Sequence, residues 1–288
     1  MADSSAIEWT GSTWNPTTGC DRVSPGCDHC YALTLARRLQ AMGSARYQRD
    51  GDAATSGPGF GLTMHLDVVD QPLRWSKPRL IFVNSMSDLL HDQVTDEFIA
   101  QVFAVMALTP RHTYQVLTKR HGRLRSLLND TRFRARVREA CLEFLDAGTM
   151  RGHSVEGWEA WPCPNVWIGV SAETQKWADI RVPALLSTPA AVRFVSAEPL
   201  LGPIDFAAST ANRGGLDWVI TGGESGAHAR PCDPEWVREI RDWCATSGTA
   251  FFHKQWGGRT PKAGGRELDG RIHSAMPAST PARTGRAS

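Results

Sequence analysis

The stretch LIFVNSMSDLLHDQVTDEFIAQVFAVMALTPRHTYQVL, residues 80–117, contains the pattern that decides the fold. Residues 80–83 form a short apolar run that fits a buried strand. Residues 95–108 have helical periodicity, and acidic residues in their first turn suit the positive end of a helix. Residues 113–117 form a second apolar run. The order strand, helix, strand predicts parallel strands joined by a right-handed crossover.

The same alternation continues along the chain. Further strands are predicted at 166–170, 192–195, 218–220 and 250–253, and further helices at 31–42, 121–145, 172–186 and 233–246. The repeat indicates an α/β fold, either a full or partial (β/α) barrel of parallel strands or an open doubly wound sheet. In both architectures the chemistry collects at the carboxyl ends of the strands.

Small, polar or charged residues follow each predicted strand. These exits lie at 84–88, 118–120, 171–173, 196–198, 221–226 and 254–255. Loops are commonly polar, so the exits alone could be ordinary surface. Carboxylates stand directly at several of them, which favours a functional site at this edge of the sheet.

The composition is that of an ordinary globular protein. The chain has 288 residues, of which 41% are hydrophobic and 22% charged, and its net charge of +2 demands no polyanionic partner. We expect one domain over 1–276, with a flexible insertion at 43–62 and a disordered tail at 277–288. Seven cysteines, an odd number, argue for a reducing compartment. With no signal peptide or membrane span in the sequence, a cytoplasmic protein is the expectation.

Three of the cysteines, Cys20, Cys27 and Cys30, lie in the run GCDRVSPGCDHCYA, residues 19–32, with the spacing C-x6-C-x2-C. A structural zinc site would need a distant fourth ligand, and His29 is awkwardly placed between two of the cysteines. Small buried thiols without metal are a second interpretation, but the flanking glycines and proline indicate an exposed, tight turn. The third is an iron–sulfur cluster with one open iron, and three clustered thiols leading into a helix favour it.

Several motifs resemble a known superfamily. Cys-x2-Cys followed by Tyr-Ala, on a loop of an α/β barrel, resembles the radical S-adenosylmethionine superfamily, although most members space their cysteines C-x3-C-x2-C. The motifs WNPTTGC, VSPGC, CYA, GGESG and KQWGG more closely resemble a family of phage- and prophage-encoded, radical-SAM-like proteins. The resemblance covers roughly residues 6–276 and extends distantly to the spore photoproduct lyase family, which repairs a thymine dimer.

The resemblance implies a cofactor, a second ligand and a reductant. A 4Fe-4S cluster on Cys20, Cys27 and Cys30 would bind S-adenosylmethionine at its open iron. One-electron reduction would cleave that ligand to a 5′-deoxyadenosyl radical, which abstracts hydrogen from a substrate. The electron donor would be a flavodoxin- or ferredoxin-like protein.

Strand-end position suggests contacts for the methionine part of this ligand. Asp88, helped by Ser85 and Ser87, is expected to meet the ammonium group. Lys119 is a candidate for the methionine carboxylate. For each residue the alternative is an ordinary salt bridge or helix cap at a strand end.

The nucleoside part would need small polar groups and close backbone approach. Ser171 and Glu173 fit the ribose hydroxyls by position. Gly222 and Gly223 would let the backbone approach the adenine or the substrate. The same structural alternatives apply to these positions.

Three further residues have less specific expected roles. Glu198 and Glu224 could bind either ligand. Cys232 could return a hydrogen atom to a product radical, as a cysteine does in the lyase, although a small buried thiol is the simpler interpretation.

A basic run indicates a possible nucleic-acid partner. Residues 111–138 carry nine Lys or Arg and one acid, which is a footprint typical of a phosphate-binding surface or of a solvated helix face. The candidate contacts are Arg123, Arg125, Arg132, Arg134 and Arg136. Three functions follow: a radical enzyme acting on a nucleobase in DNA, a radical enzyme acting on a small molecule or peptide, and a non-catalytic, metal-stabilised nucleic-acid-binding protein.

Overall fold

A computed structural model describes residues 5–148, 156–210 and 215–277. Its strands are β1 (Ser12–Trp14), β2 (Thr17–Thr18), β3 (Thr63–Met64), β4 (Leu80–Val83), β5 (Thr113–Thr118), β6 (Val166–Ser171), β7 (Val192–Ala197), β8 (Trp218–Gly222), β9 (Ala250–Gln255), β10 (Glu267–Leu268) and β11 (Arg271–Ile272). Its helices are α1 (Tyr31–Ala41), α2 (Asp96–Ala107), α3 (His121–Asn129), α4 (Thr131–Asp146), α5 (Gln175–Leu186), α6 (Phe206–Thr210) and α7 (Pro234–Ser247).

Seven strands form one parallel sheet in the order β1-β4-β5-β6-β7-β8-β9. Each of these strands lies beside the next one in the chain, so the order never reverses as it does in a doubly wound sheet. The sheet curls into a partial (β/α) barrel, which confirms the predicted fold class. Two antiparallel pairs, β2 with β3 and β10 with β11, lie outside it.

Aromatic side chains fill the inner face of the partial barrel. Trp9 lies just before β1. Its ring centroid is 4.7 Å from that of Phe82 on β4 and 6.2 Å from that of Trp218 on β8. It therefore bridges opposite walls. Gly169 on β6 makes room for Phe194 on β7, because a Cβ at Gly169 would lie 2.5 Å from that ring. Open space is left at the carboxyl ends of the strands.

Every predicted helix and strand appears, but one predicted helix is divided into two. The single helix expected over 121–145 is two helices, because Asp130 has an extended backbone and its carboxylate accepts a hydrogen bond from the Arg132 amide. An N-cap of this kind starts a new helix. The short strands β1, β2, β3, β10 and β11 and the helix α6 were not predicted.

Two other expectations concern segments outside the barrel strands. The segment 43–62, expected to be flexible, contributes buried Tyr47 and Phe60 to a cluster with Ala36 of α1. The expected disordered tail, apart from its first residue, lies outside the described residues. Within the described ranges, no helix combines the length and apolar character needed to cross a membrane.

Candidate functional site

A cavity of about 240 Å³ lies at the carboxyl edge of the sheet. Most of the predicted ligand-binding and cysteine positions line it: Cys20, Cys27, Cys30, Ser85, Ser87, Asp88, Lys119, Ser171, Glu198, Gly223 and Glu224. The predicted positions Glu173, Gly222 and Cys232 are not among the residues on its walls. The cavity therefore gathers groups from six parts of the chain that are far apart in sequence.

The three cysteines face this cavity from one irregular loop between β2 and α1. All three are free thiols and are partly buried. Burial and, to a smaller extent, the nearby Asp88 raise the pKa of Cys20 to about 12. Burial also raises the pKa of Cys30, and Cys27 adds to the rise for both neighbours. The sulfur of Cys27 therefore lies close enough to those of Cys20 and Cys30 for the thiolates to repel it.

A cation lies near each cysteine. The Arg120 guanidinium donates to Cys20 Sγ, with 3.4 Å between Nη1 and sulfur. The charge of Lys119 acts to lower the pKa of Cys30, against the larger effect of burial. Cys27 interacts electrostatically with the buried guanidinium of Arg181. Three thiolates would thus meet compensating positive charge.

A single metal ion and an iron–sulfur cluster require different arrangements of their ligating side chains. In the described ranges, no three or more His, Cys, Asp or Glu side chains are grouped to hold one metal ion. A structural zinc ion needs four such ligands around one point. The cysteines of an iron–sulfur cluster bind different irons and so lie further apart, which is compatible with this loop.

Glu173 and Arg181 form an ion pair beneath the cysteine loop. Their side chains are both 0% exposed, and Oε2 of Glu173 lies 3.0 Å from Nη1 of Arg181. The other oxygen, Oε1, accepts from the amide of Gly26 at 3.3 Å. Burial acts to raise the pKa of Glu173, but Lys119, hydrogen bonds and Arg181 outweigh it and lower the pKa. Glu173 is thus bound within the protein, and its expected contact with a ribose stays a prediction.

Glu224 holds the same loop from the opposite side. Its carboxylate accepts from Arg230 Nη2 at 2.6 Å and lies 2.9 Å from His29 Nδ1. Arg230 also donates to the Pro25 carbonyl at 2.8 Å. Burial would raise the pKa of Glu224, but the hydrogen bonds outweigh it and lower the pKa to about 2. This carboxylate therefore links the GGESG loop to the cysteine loop rather than standing free for a ligand.

Asp21 fixes the first part of the cysteine loop. Its Oδ1 accepts from the hydroxyls of Thr55 at 2.6 Å and Ser56 at 2.9 Å. Its Oδ2 lies 2.8 Å from Nε2 of the fully buried His91. The residue after Cys20 is thus tied to the segment expected to be flexible.

Asp88 connects the exits of β4 and β5. Its carboxylate accepts from the Thr118 hydroxyl at 2.7 and 2.9 Å, from the Lys119 amide at 3.1 Å and from the Leu90 amide at 3.0 Å. It also forms an ion pair with Arg120 at 3.2 Å. These donors hold the carboxylate at the cavity wall, and the contact of Asp88 with a ligand ammonium stays a prediction.

The predicted serines differ in the hydrogen bonds that their hydroxyl groups make. Ser87 Oγ lies 2.5 Å from the Thr17 hydroxyl, and Ser85 Oγ donates to Asn15 at 3.2 Å. Both hydroxyls help to join β4 to the start of the cysteine loop. Ser171, at the end of β6, lines the cavity. Its backbone carbonyl accepts a hydrogen bond from Arg181.

The two predicted glycines serve close packing within the protein. A Cβ at Gly222 would lie 2.7 Å from Oε1 of Glu198, and one at Gly223 would lie 1.9 Å from the Trp256 carbonyl. Their backbone is therefore approached by protein atoms, and the approach of adenine or substrate to Gly222 or Gly223 stays a prediction.

Glu198 and Lys254 form an ion pair in the cavity, 3.1 Å apart. The second oxygen of Glu198 accepts from the Trp9 indole at 3.1 Å and from the Ser196 hydroxyl at 3.1 Å. The carboxylate is thus held in place, and Lys254 retains two N–H groups beyond this ion pair.

Cys232 lies behind the GGESG loop. It packs against the outer core and against the backbone of Gly223, and burial raises the pKa of its thiol to about 11. It does not line the cavity, so the expected hydrogen-atom transfer by Cys232 has no support from its position.

The basic run is largely paired within the protein. Arg123 binds Asp96 at 2.6 Å, Arg132 binds Asp130 at 3.1 Å, and Arg136 lies 3.6 Å from Asp96. Exposed pairs of this kind are weak, so Arg132 and Arg136 could exchange them for phosphates. Arg125 and Arg134 are exposed on α3 and α4.

Sequence reasoning missed the cations that support the loop. Arg181 and Arg230 lie on α5 and after the GGESG loop, and no spacing links either of them to the cysteines. Arg120 and Lys254 stand at strand exits that were recognised as polar, and that position was the available signal.

The fold is an α/β partial barrel of parallel strands, and the three-cysteine loop lies at the carboxyl edge of its sheet. The chain belongs to the family described as protein of unknown function (DUF5131), whose model matches residues 4–277. No curated protein matches the sequence.

Solved structures of spore photoproduct lyase are similar to this chain. A cysteine-to-serine mutant of that enzyme has 12% identity and a TM-score of 0.49, over 88% of this chain and 78% of the other. The lyase complexed with dinucleoside spore photoproduct has 11% identity and a TM-score of 0.44, over 83% and 74%.

Proposed function

We propose that the protein is a radical S-adenosylmethionine enzyme that holds a 4Fe-4S cluster on Cys20, Cys27 and Cys30. The observation that carries the proposal is the convergence of three free thiols from one loop on a cavity at the carboxyl edge of a parallel barrel. Active sites of such barrels lie at this edge. When bound, the cluster would supply the electron that cleaves S-adenosylmethionine and starts radical chemistry.

The chain's own groups fit a cluster better than a single ion. Three cysteines can bind three irons and leave one for a small ligand, and the nearby cations offset the negative charge of the thiolates. The ion pairs of Glu173 and Glu224 fix the loop from two sides, so the cysteines would be held in place before the cluster binds. Outer partners of this kind orient metal ligands.

S-adenosylmethionine would lie between the cysteine loop and the exits of β5 and β6. Lys119 projects into the cavity near Cys30 and suits the methionine carboxylate. Ser171 lines the same wall and suits a ribose hydroxyl. The side chains of Asp88 and Glu173, in contrast, are already bound in ion pairs within the protein.

The substrate would lie toward Glu198 and Lys254, which are supported by Trp9 and Ser196. The pair is neutral overall and offers N–H donors, so it suits a carbonyl oxygen, a group that thymine, cytosine and guanine present. Replacing Lys254 with Met should weaken substrate binding and leave S-adenosylmethionine cleavage in the absence of substrate unchanged.

A DNA substrate is the more specific form of the proposal, and a small molecule or peptide is the alternative. If DNA binds over α3 and α4, changing Arg125 and Arg134 to Glu should weaken binding and flatten its salt dependence. Equal binding by the variant and the parent protein would favour the alternative.

The direct test of the cluster is its composition. Protein reconstituted without oxygen should contain about four irons and four sulfides per chain. Serine at Cys20, Cys27 or Cys30 should lower both, whereas Cys232→Ser should not, since Cys232 lies away from the loop. Zinc, or iron that survives all three loop substitutions, would overturn the proposal and favour a metal-stabilised nucleic-acid-binding protein.

A further inference from the structure

Arg120 is the residue whose side chain contacts a cluster cysteine most directly. It follows β5, and its side chain is 14% exposed. One nitrogen, Nη1, lies 3.4 Å from Cys20 Sγ and 3.2 Å from Oδ2 of Asp88. The guanidinium is thus placed between a thiol and a carboxylate.

The position of Arg120 is strongly determined. Asp88 is held by the Thr118 hydroxyl and by the amides of Leu90 and Lys119. The Arg120 amide donates to the Thr118 hydroxyl at 2.9 Å. A rigid hydrogen-bonded turn at the β5 exit therefore aims the guanidinium at Cys20.

We propose that Arg120 is a positioning residue that favours the reduced state of the cluster through its hydrogen bond and charge at Cys20. This rests on the proposed function, because it assumes a cluster on the three cysteines. The role is separate from binding S-adenosylmethionine or substrate.

The sign follows from electrostatics. Reduction adds one electron and no proton to the cluster, so the cluster becomes more negative. A buried positive charge and an N–H···S hydrogen bond stabilise the reduced form and raise the reduction potential. Without Arg120, the Asp88 carboxylate would stand beside Cys20 uncompensated and would disfavour the added electron.

The other two cations have different surroundings. Arg181 is neutralised by Glu173 at 3.0 Å, and its Nη1 is already bonded to that carboxylate and to the Ser171 carbonyl. Lys119 acts on Cys30 through charge alone among the interactions described. Arg120 combines charge with direct contact to sulfur, so its replacement should have the largest effect.

The experiment is an anaerobic redox titration with dithionite as the one-electron reductant, followed by electron paramagnetic resonance. Arg120→Gln removes the charge and Arg120→Lys keeps it. The control is Arg271→Gln, which removes one charge from exposed β11. Iron and sulfide are counted in every sample before titration.

At a fixed potential, Arg120→Gln should lower the ratio of reduced to oxidised cluster at least tenfold, which corresponds to about 59 mV for one electron. The ratio for Arg120→Lys should lie between those of Arg120→Gln and the parent protein. The ratio for Arg271→Gln should equal that of the parent. Asp88→Asn should shift the ratio in the opposite direction, which provides a second test if Arg120→Gln does not fold.

The outcomes distinguish failure of the proposed function from failure of the proposed role of Arg120. If the parent protein assembles no iron–sulfur cluster, the proposed function fails. If parent and Arg120→Gln contain equal iron and sulfide and titrate together, the proposed function stands and the role of Arg120 is overturned.

Discussion

Glu173 and Arg181 show what a fully buried ion pair requires in this protein. Both side chains are shielded from water, and their mutual contact is 3.0 Å. Glu173 also binds the Gly26 amide, and Arg181 binds the Ser171 carbonyl. A buried charge without its partner carries a large desolvation penalty. The pair therefore connects the stability of the barrel to the position of the cysteine loop.

Replacing Arg181 with Met should destabilise the protein by about 3–5 kcal/mol, because Glu173 is left buried and uncompensated. The double variant Arg181→Met/Glu173→Leu should recover much of this loss. Urea unfolding of the metal-free protein measures both. Equal losses for the single and double variants would contradict the assigned pairing.

A second residue-scale prediction concerns Gly169. Alanine there would force the Phe194 ring to move, and overpacking of this kind costs about 1–3 kcal/mol. Gly122→Ala on α3 is the matched control, since no atom lies within 4 Å of its added Cβ and alanine favours a helix. In thermal unfolding, Gly169→Ala should lower the midpoint and Gly122→Ala should not.

The low pKa of Glu224, about 2, makes stability depend on pH. Because the folded pKa lies below the unfolded value of about 4.3, the stabilisation is fully present above that value and is lost as pH falls toward 2. Urea unfolding at several pH values should show a difference between parent and Glu224→Gln that shrinks on acidification. A difference that stays constant with pH would count against an ionised, hydrogen-bonded Glu224.

At the scale of elements, the cysteine loop depends on contacts from outside itself. Apart from a short 3-10 turn at Pro25–Cys27, the residues between β2 and α1 have no regular structure. Their positions are held by Asp21 at the start, by Arg230 and Glu173 at Pro25 and Gly26 in the middle, and by Glu224 at His29 near the end. The loop is therefore organised by neighbouring strand exits.

Replacing Arg230 with Met should loosen this loop, since the contacts to Pro25 and Glu224 are lost. Amide hydrogen exchange in peptides covering residues 20–31 should become faster, while exchange in β5 and β6 should not change. The control is Arg271→Met. Unchanged exchange in the loop peptides would mean that Arg230 does not hold it.

At the scale of the whole molecule, periodicity was enough to predict the parallel sheet and its helices. Longer strands such as β5 and β6 carry apolar and β-branched residues in runs of strand length between turn residues and helical segments, which favours buried strands. The three-residue strand β1 lacks such a run and is held by pairing with β4, so local sequence could not reveal it. The break at Asp130 depends on a capping hydrogen bond that periodicity does not detect.

The candidate site was predictable to the level of its edge and its cysteines. Parallel strands place their exits together, so polar residues after each strand were expected to meet. Which of them remain available to a ligand depends on partners distant in sequence, as with Glu173 and the Gly26 amide or Glu224 and His29. Those pairings arise only when the barrel closes around the cysteine loop.

Formation of 5′-deoxyadenosine tests most directly whether the protein cleaves S-adenosylmethionine by radical chemistry. Reconstituted protein is mixed with S-adenosylmethionine and dithionite without oxygen, and the nucleoside is measured by chromatography. We expect 5′-deoxyadenosine from the parent protein and none above background from Cys27→Ala. An intact cluster that yields none, or a yield that survives Cys27→Ala, would contradict it.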